Sequence, residues 1–143
     1  MPSDFSLKTM GAVHRGILKL TGGRFGWDLG GMPVLELTTV GRQSGEPRHT
    51  MLTAPLRIDG SYVVVASRGG DDRHPAWFLN LRDNPAVEIV VKGEPPVKCH
   101  ARILEGTERA TAWTRIAEKY ENYAGYQRKT DRLIPLVVLE QLT

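Results

Sequence analysis

Two glycine–arginine segments contain the residue types best suited to hold a charged ligand. The first, Gly41–Arg48, reads Gly-Arg-Gln-Ser-Gly-Glu-Pro-Arg and lies between two segments with strand periodicity. Successive backbone N–H groups in such a turn can form a nest for an anion. Arg42, Ser44 and Arg48 would add two guanidinium groups and a hydroxyl. Taken alone, the segment is equally compatible with a solvated hairpin.

The second segment, Ser67–Gly70, has the same character and follows another predicted strand. Its glycines allow the backbone to approach a ligand closely. Two such turns can lie side by side at one end of an antiparallel sheet. Their coincidence favours a site for a small anionic ligand over two incidental loops.

Aromatic residues form two further candidate elements. Trp77 and Asn80 are one turn apart on a predicted helix, so they could bracket a ring system, although core packing of Trp77 is an equal alternative. Tyr120, Tyr123 and Tyr126 are spaced by three residues and predict one helical face. Their polar neighbours favour a pocket wall that offers hydrogen bonds or a proton over a core stripe.

Other kinds of chemistry find little support in the sequence. The four histidines lack metal-ligand spacing, and G-x-S-x-G, G-x-G-x-x-G and Walker patterns do not occur. Cys99, the single cysteine, alternates with apolar neighbours and is predicted to be a buried thiol. The net charge of +3 gives no support to nucleic-acid binding. We therefore expect neither a metal nor a nucleic-acid partner.

The N-terminal region is expected to be distinct from the rest of the chain. Phe5–Leu20 has apolar residues at helical spacing with lysine and arginine among them, which predicts a basic amphipathic helix. Such a helix either packs on its own domain or contacts an anionic membrane surface. Glycines follow, so residues 1–32 are predicted to be a helix and linker, and residues 33–143 the folded domain. No secretion signal or membrane-spanning run is evident, which favours a cytoplasmic location.

The candidate residues must be positioned by strands in the first half of the domain. Val34–Thr39 alternates with period two, and His49–Ile58 is predicted to be one long strand with a bulge or edge position at Pro55. Asp59-Gly60 predicts a type I′ hairpin turn into the strand Tyr62–Ser67. Together these segments predict an antiparallel meander.

The second half alternates helices with strands. The predicted elements are helix Ala76–Arg82, strands Val87–Val91 and Val97–Leu104, helix Glu108–Tyr120 and strand Leu133–Leu139. In the second helix, Thr107 is the predicted N-cap, and Ala110, Trp113, Ile116 and Ala117 are predicted to face inward. Short, mostly antiparallel strands with helices between and around them predict a small α+β barrel.

In this order, the motifs resemble one family, the deazaflavin (coenzyme F420)-dependent nitroreductases and quinone reductases of actinobacteria. The resemblance runs from about Val34 to Glu140. The matching segments are Gly41–Arg48, Ala66–Gly70, Pro75–Leu81, Asn84-Pro85, the three tyrosines, and Thr130-Asp131-Arg132 with Pro135–Val138. The family implies a split β-barrel, of the type that binds FMN in pyridoxamine oxidase-like proteins, with flanking helices.

The resemblance also implies residue roles around coenzyme F420, whose phosphate and polyglutamate tail are anionic. Tyr123 would bind substrate and take part in protonation, with Tyr120 and Tyr126 as supporting wall. The cofactor would contact Arg42, Gln43, Ser44 and Arg48 at its tail, His49, Met51, Leu52, Thr53 and Ala54 at its ring, and Val65, Ala66, Ser67, Arg68, Ala76, Trp77, Phe78 and Asn80 at its ring and ribityl chain. Gln43 departs from the lysine that is frequent in the family, which removes one cation.

The implied reaction is hydride transfer from the reduced deazaflavin to an electron-poor acceptor: a quinone, a nitroimidazole, or an unsaturated lactone of the coumarin type such as aflatoxin. Two alternatives remain open from the residues, an FMN-binding oxidoreductase of the same fold and a non-catalytic deazaflavin carrier or sensor. The sequence leaves the oligomeric state open.

Overall fold

The computed structural model describes residues 28–29 and 32–142, which form eight strands and three α-helices. The predicted helix Phe5–Leu20 and most of the glycine-rich linker lie outside the described residues. The elements are β1 (Asp28–Leu29), β2 (Met32–Val40), β3 (Pro47–Thr53), β4 (Leu56–Ile58), β5 (Ser61–Val65), a 3₁₀ turn (Arg68–Gly70), α1 (Ala76–Asp83), β6 (Ala86–Val91), β7 (Val97–Ile103), α2 (Gly106–Lys119), α3 (Glu121–Arg128) and β8 (Leu136–Gln141).

The sheet curls because of one short link in the chain. From β2 the strands run in the order β2-β6-β7-β8-β5-β4, all antiparallel, while β3 pairs with β2 on its other side. β3 and β4 therefore lie at opposite ends of the order, yet only Ala54 and Pro55 separate them. Thr53 and Leu56 are three residue steps apart and so at most about 11 Å from each other, which means that the two edges must meet. The α+β barrel prediction is confirmed.

The predicted single strand His49–Ile58 is wrong, and so is the meander. Pro55 has no N–H to donate to a ladder, and the Ala54 amide donates instead to the Pro33 carbonyl at 2.9 Å. β3 therefore ends at Thr53, and the chain crosses to a different partner strand, β5. The Asp59-Gly60 turn is confirmed, with both residues at positive φ (50° and 84°), as a type I′ turn requires.

β5 separates two apolar clusters because its side chains alternate. Val64 belongs to the cluster inside the barrel, with Leu35 and Leu37 of β2. Val63 and Val65 belong to a second cluster beneath α2 and α3. The middle of this strand is therefore buried on both faces. Cys99 also lies inside the barrel, 1% exposed, and burial raises the pKa of its thiol.

The starts of α2 and of the last strand differ from the prediction by two or three residues. α2 begins at Gly106, so Thr107 is not its N-cap, and Ala112 and Ile116 are its buried residues. Ala110, predicted to face inward, is exposed because it lies about 200° around the helix from Ala112. The last strand begins at Leu136, and Leu133 is 64% exposed.

Within the part of the chain that the structure describes, no helix is long and apolar enough to cross a membrane.

Candidate active site

The segment between β2 and β3 is a closed turn. The Gly41 amide donates to the Glu46 carbonyl at 2.8 Å, and the Gly45 amide donates to the Gly41 carbonyl at 2.8 Å. Ser44 Oγ accepts two further hydrogen bonds, from the Glu46 amide and from Nη2 of Arg48, each at 3.1 Å. The turn therefore holds one of its arginines in place before any ligand arrives.

Gly41 is required at this turn for space. A Cβ there would lie 2.7 Å from Ser44 Oγ and 3.3 Å from Arg48 Nε. Any side chain at position 41 would therefore displace the two groups that form the polar wall. Glycine keeps the turn compact enough for Ser44 and Arg48 to face the same space.

Asn80 of α1 ties the helix to the turn. Its Oδ1 accepts from the backbone amide of Arg42 at 3.2 Å and from Nη1 of the same residue at 2.8 Å. Its Nδ2 donates to Thr39 Oγ1 at 3.2 Å. Asn80 and Thr39 are both buried, at 4% and 1% exposure, so this bond belongs to the fold as well as to the site. Sequence reasoning missed Thr39, whose only signal is a hydroxyl on the strand face that otherwise carries Leu35 and Leu37.

The Gly41–Arg48 turn and the start of α1 line a small cationic cavity of about 160 Å³. Among the described residues, neither Arg42 nor Arg48 is paired with a carboxylate. Ligand pockets usually measure roughly 300–1,000 Å³, so this cavity suits one anionic group rather than a whole cofactor. Six predicted contact residues meet here together with Gly41: Arg42, Gln43, Ser44, Arg48, Ala76 and Asn80.

The second glycine–arginine turn lies against α3. Arg68, Gly69 and Gly70 all have positive φ, at 47°, 66° and 88°. A Cβ on Gly70 would lie 2.7 Å from the carbonyl oxygen of Tyr126, so glycine permits this close approach. Among the described residues, no backbone–backbone hydrogen bond joins this turn to Gly41–Arg48. The first turn is instead bonded to α1 through Asn80, and the second is tied through Arg132 to His74, just before α1.

Tyr123 is the centre of the tyrosine cluster. Its hydroxyl lies 2.9 Å from Thr53 Oγ1 and 3.5 Å from Met32 Sδ, and the residue is 5% exposed. The rings of Tyr120 and Tyr126 contact it edge to face, with centroids 6.4 and 5.9 Å away. Burial is the main cause that raises the pKa of Tyr123 above 10.0. The phenol is therefore neutral at physiological pH and retains a proton to donate.

The predicted contact residues on β3 are divided between the two faces of the strand. Met51 and Thr53 share a face with His49, while Leu52 packs against the cluster inside the barrel. His49 Nδ1 lies 2.8 Å from Thr38 Oγ1 and 3.5 Å from Glu36. The face with Thr53 leads toward Tyr123, and Leu52 lies on the opposite face.

Trp77 and Phe78 pack in the interior, 9% and 3% exposed. Core packing, one of the two alternatives for Trp77, is therefore what the structure shows, and its role as a cofactor wall stays a prediction. Val65, Ala66 and Ala54 are likewise buried. Metal ligation has no basis among the described residues, which contain no suitable cluster of His, Cys, Asp or Glu.

Strand order and site together define a split barrel with an anion pocket at one end and a tyrosine cluster on its helical side. The family model for F420H(2)-dependent quinone reductases matches residues 12–141. The chain belongs to this family, and the predicted family resemblance is confirmed. An F420H(2)-dependent quinone reductase of Mycobacterium tuberculosis is 39% identical over 135 residues, which cover 89% of this chain and 87% of that protein.

Solved structures agree with this assignment. An F420H2-dependent reductase, FDR-A, is 41% identical, with a TM-score of 0.67 over 76% of this chain and 94% of that chain. A domain-swapped dimer is 36% identical, with a TM-score of 0.68 over 92% of this chain and 99% of that one. A putative pyridoxamine 5′-phosphate oxidase of Listeria innocua, at 13% identity and a TM-score of 0.53 over 92% of this chain and 94% of that one, shares the fold.

The bridging role of Asn80 predicts a stability effect. Asn80→Ala leaves the buried Thr39 hydroxyl and the Arg42 amide without their partner, so we expect the free energy of unfolding to fall by about 1–3 kcal/mol. Asn122→Ala, an exposed asparagine on α3, is the control and should change it by less than about 0.5 kcal/mol. Urea denaturation measures both, and equal effects would contradict the bridging role.

Proposed function

We propose that this protein transfers a hydride from reduced coenzyme F420 to an electron-poor acceptor, with a quinone as the first candidate. The observation that carries the proposal is the cationic cavity at Gly41–Arg48, whose size and charge suit the phosphate of that cofactor. Tyr120, which lies between α2 and α3, and Tyr123 and Tyr126 of α3 provide a second, neutral surface for the acceptor. Membership of the F420H(2)-dependent quinone reductase family supports the choice of cofactor.

The residues present fit an anionic cofactor tail. Arg42 and Arg48 supply two permanent cations, Ser44 supplies a hydroxyl, and the missing Cβ of Gly41 lets Ser44 and Arg48 pack close to the backbone there. Gln43 lines the same cavity and can donate an amide N–H, although it lacks the charge of a lysine. In this assignment Arg42 is oriented by Asn80, and Arg48 by Ser44.

The cofactor supplies the hydride, and the protein supplies position and a proton. Tyr123 stays protonated because burial raises its pKa. Thr53 fixes the direction of its hydroxyl, and Met32 and the neighbouring rings limit access of water. We assign Tyr123 as the proton donor to the reduced acceptor. The aromatic rings of Tyr120, Tyr123 and Tyr126 suit a planar, apolar molecule such as a quinone. A nitroimidazole or a coumarin-type lactone has the same flat shape.

Hydride transfer is tested directly by anaerobic mixing of the purified protein with reduced F420 and each acceptor class. We expect oxidised deazaflavin to form only when protein and acceptor are both present. Tight retention of FMN with no response to reduced F420 would support the alternative FMN-binding oxidoreductase. Binding of F420 without reduction of any acceptor would support a carrier or sensor.

Tyr123→Phe removes the proposed proton donor and keeps the ring. We expect kcat for acceptor reduction to fall by at least about tenfold, since a general acid contributes roughly 10²–10⁴ and water replaces part of it. Because the pKa of Tyr123 is raised, its ionisation should not reduce wild-type activity between pH 7 and about 9. Tyr62→Phe, in β5 on the interior cluster, is the matched control. Equal rates for Tyr123→Phe and wild type would exclude the assignment.

A membrane-facing role for the N-terminal segment is a further part of the proposal. Lysines and arginines among the apolar residues of Phe5–Leu20 suit an anionic bilayer surface, where a lipid-soluble quinone would be found. Deletion of the residues before Thr21 should reduce sedimentation with anionic liposomes several-fold, with little change in reduction of a water-soluble quinone. Unchanged liposome binding would mean that the segment packs on its own domain.

A further inference from the structure

Arg132 holds the loop that leads from β5 to α1. Its guanidinium donates to three backbone carbonyls: Nη1 to Ala66 at 3.1 Å, Nη2 to Ser67 at 2.8 Å and Nε to Asp71 at 2.8 Å. Nη1 also lies 3.1 Å from Nδ1 of His74. Because arginine has only donors, each of these partners acts as an acceptor.

These bonds determine where the loop's amides point. In a trans peptide the C=O and N–H groups point in opposite directions, and the described chain contains no cis peptide. Since the Ala66 and Ser67 carbonyls face the guanidinium, the amides of Ser67 and Arg68 face away from it. The left-handed φ of Arg68 and Gly69 then curves the backbone, so that successive N–H groups can form a concave site of the kind that binds anions.

The same arginine is anchored to the helix that carries the tyrosines. Gln127 of α3 donates from Nε2 to the Arg132 carbonyl at 2.8 Å and accepts at Oε1 from the Ile134 amide at 3.0 Å. The backbone on either side of Arg132 is therefore fixed to α3, while its side chain is fixed to the loop.

We propose that Arg132 is a positioning residue for the cofactor: it fixes the Ser67–His74 loop so that the Ser67 and Arg68 amides face the cofactor while α3 presents Tyr123 to the acceptor. This inference rests on the proposed function and extends it. Arg132 does not line the anion cavity, so it acts through the loop rather than directly on the ligand.

His74 makes this contact sensitive to pH. Burial and the charges of Arg132 and Arg82 lower the pKa of His74 below 6.5, so Nδ1 accepts from the guanidinium at neutral pH. Protonation removes that acceptor and places a second cation beside Arg132. Asp71, Asp72 and Arg68 are the other charges that act on Arg132. The contact is complete at neutral pH and is lost as the pH falls through the lowered pKa of His74.

Arg132→Lys tests the inference, since it keeps the charge but cannot make four directed contacts. Without cofactor, we expect faster amide hydrogen exchange across residues 67–73 and unchanged exchange in β6 and β7. The Kd for F420, measured by its fluorescence, should rise about tenfold, the effect of losing charge-assisted hydrogen bonds. Arg128→Lys, an exposed arginine on α3, is the control and should change neither quantity.

His74→Asn provides a second arm that does not depend on folding of the arginine variants. It keeps an acceptor near the Nδ1 position and cannot ionise. The wild-type Kd for F420 should rise between pH 7.5 and 5.5, while that of His74→Asn stays flat. Faster loop exchange in Arg132→Lys with an unchanged Kd, or the same pH response in both proteins, would overturn the inference. Absence of F420 binding to the wild type would instead reject the proposed function.

Discussion

The two-residue link between β3 and β4 is the constraint on which the rest of the structure depends. Strands at opposite ends of an eight-stranded sheet cannot be joined by Ala54 and Pro55 unless the sheet closes on itself. Closure places Leu35 and Leu37 opposite Val64 inside the barrel and leaves the other face of β5 for α2 and α3. It also brings Thr53, the last residue before the link, within hydrogen-bond distance of Tyr123.

Two polar residues then position the site relative to this barrel. Asn80 holds the cationic turn from α1, and Arg132 holds the neighbouring loop from the segment after α3. The side chains of both residues form hydrogen bonds with backbone groups, so each fixes the path of the main chain and not only one side chain. When a buried polar group with several hydrogen-bond partners loses one of them, the free energy of the folded state rises strongly. The site therefore depends on residues that need not contact the ligand.

Local patterns in the sequence predicted what depends on local physics. Strand alternation, the Asp59-Gly60 turn and α1 ending before Asn84-Pro85 follow from spacing and backbone preference. The residue types of Arg42, Ser44 and Arg48 predicted an anion site, whereas Gln43, Ala76 and Asn80 were implied there by the family resemblance. The crossing at Pro55 could not be predicted, because a proline in an alternating segment indicates an edge or a bulge but not which strand comes next. The role of Arg132 was missed for a related reason, although the residue lies in a segment that resembles the family. Its contacts lie 58 to 66 residues away in sequence, where no periodicity links them.

Charge is divided across the molecule in a way that suits the proposed chemistry. Arg42 and Arg48 bring permanent cations to a cavity sized for one anionic group, whereas the three tyrosines are themselves neutral and have Lys119 and Lys129 over the rings of Tyr120 and Tyr126. A hydride carries two electrons, so its transfer to a neutral acceptor leaves an anion. That anion needs a proton afterwards, but the acceptor needs no fixed charge beside it beforehand. A buried phenol with a raised pKa meets that need without attracting water. Arg132, whose four contacts are with carbonyls and a neutral imidazole, joins the two regions while its own charge is directed at the backbone rather than at the acceptor.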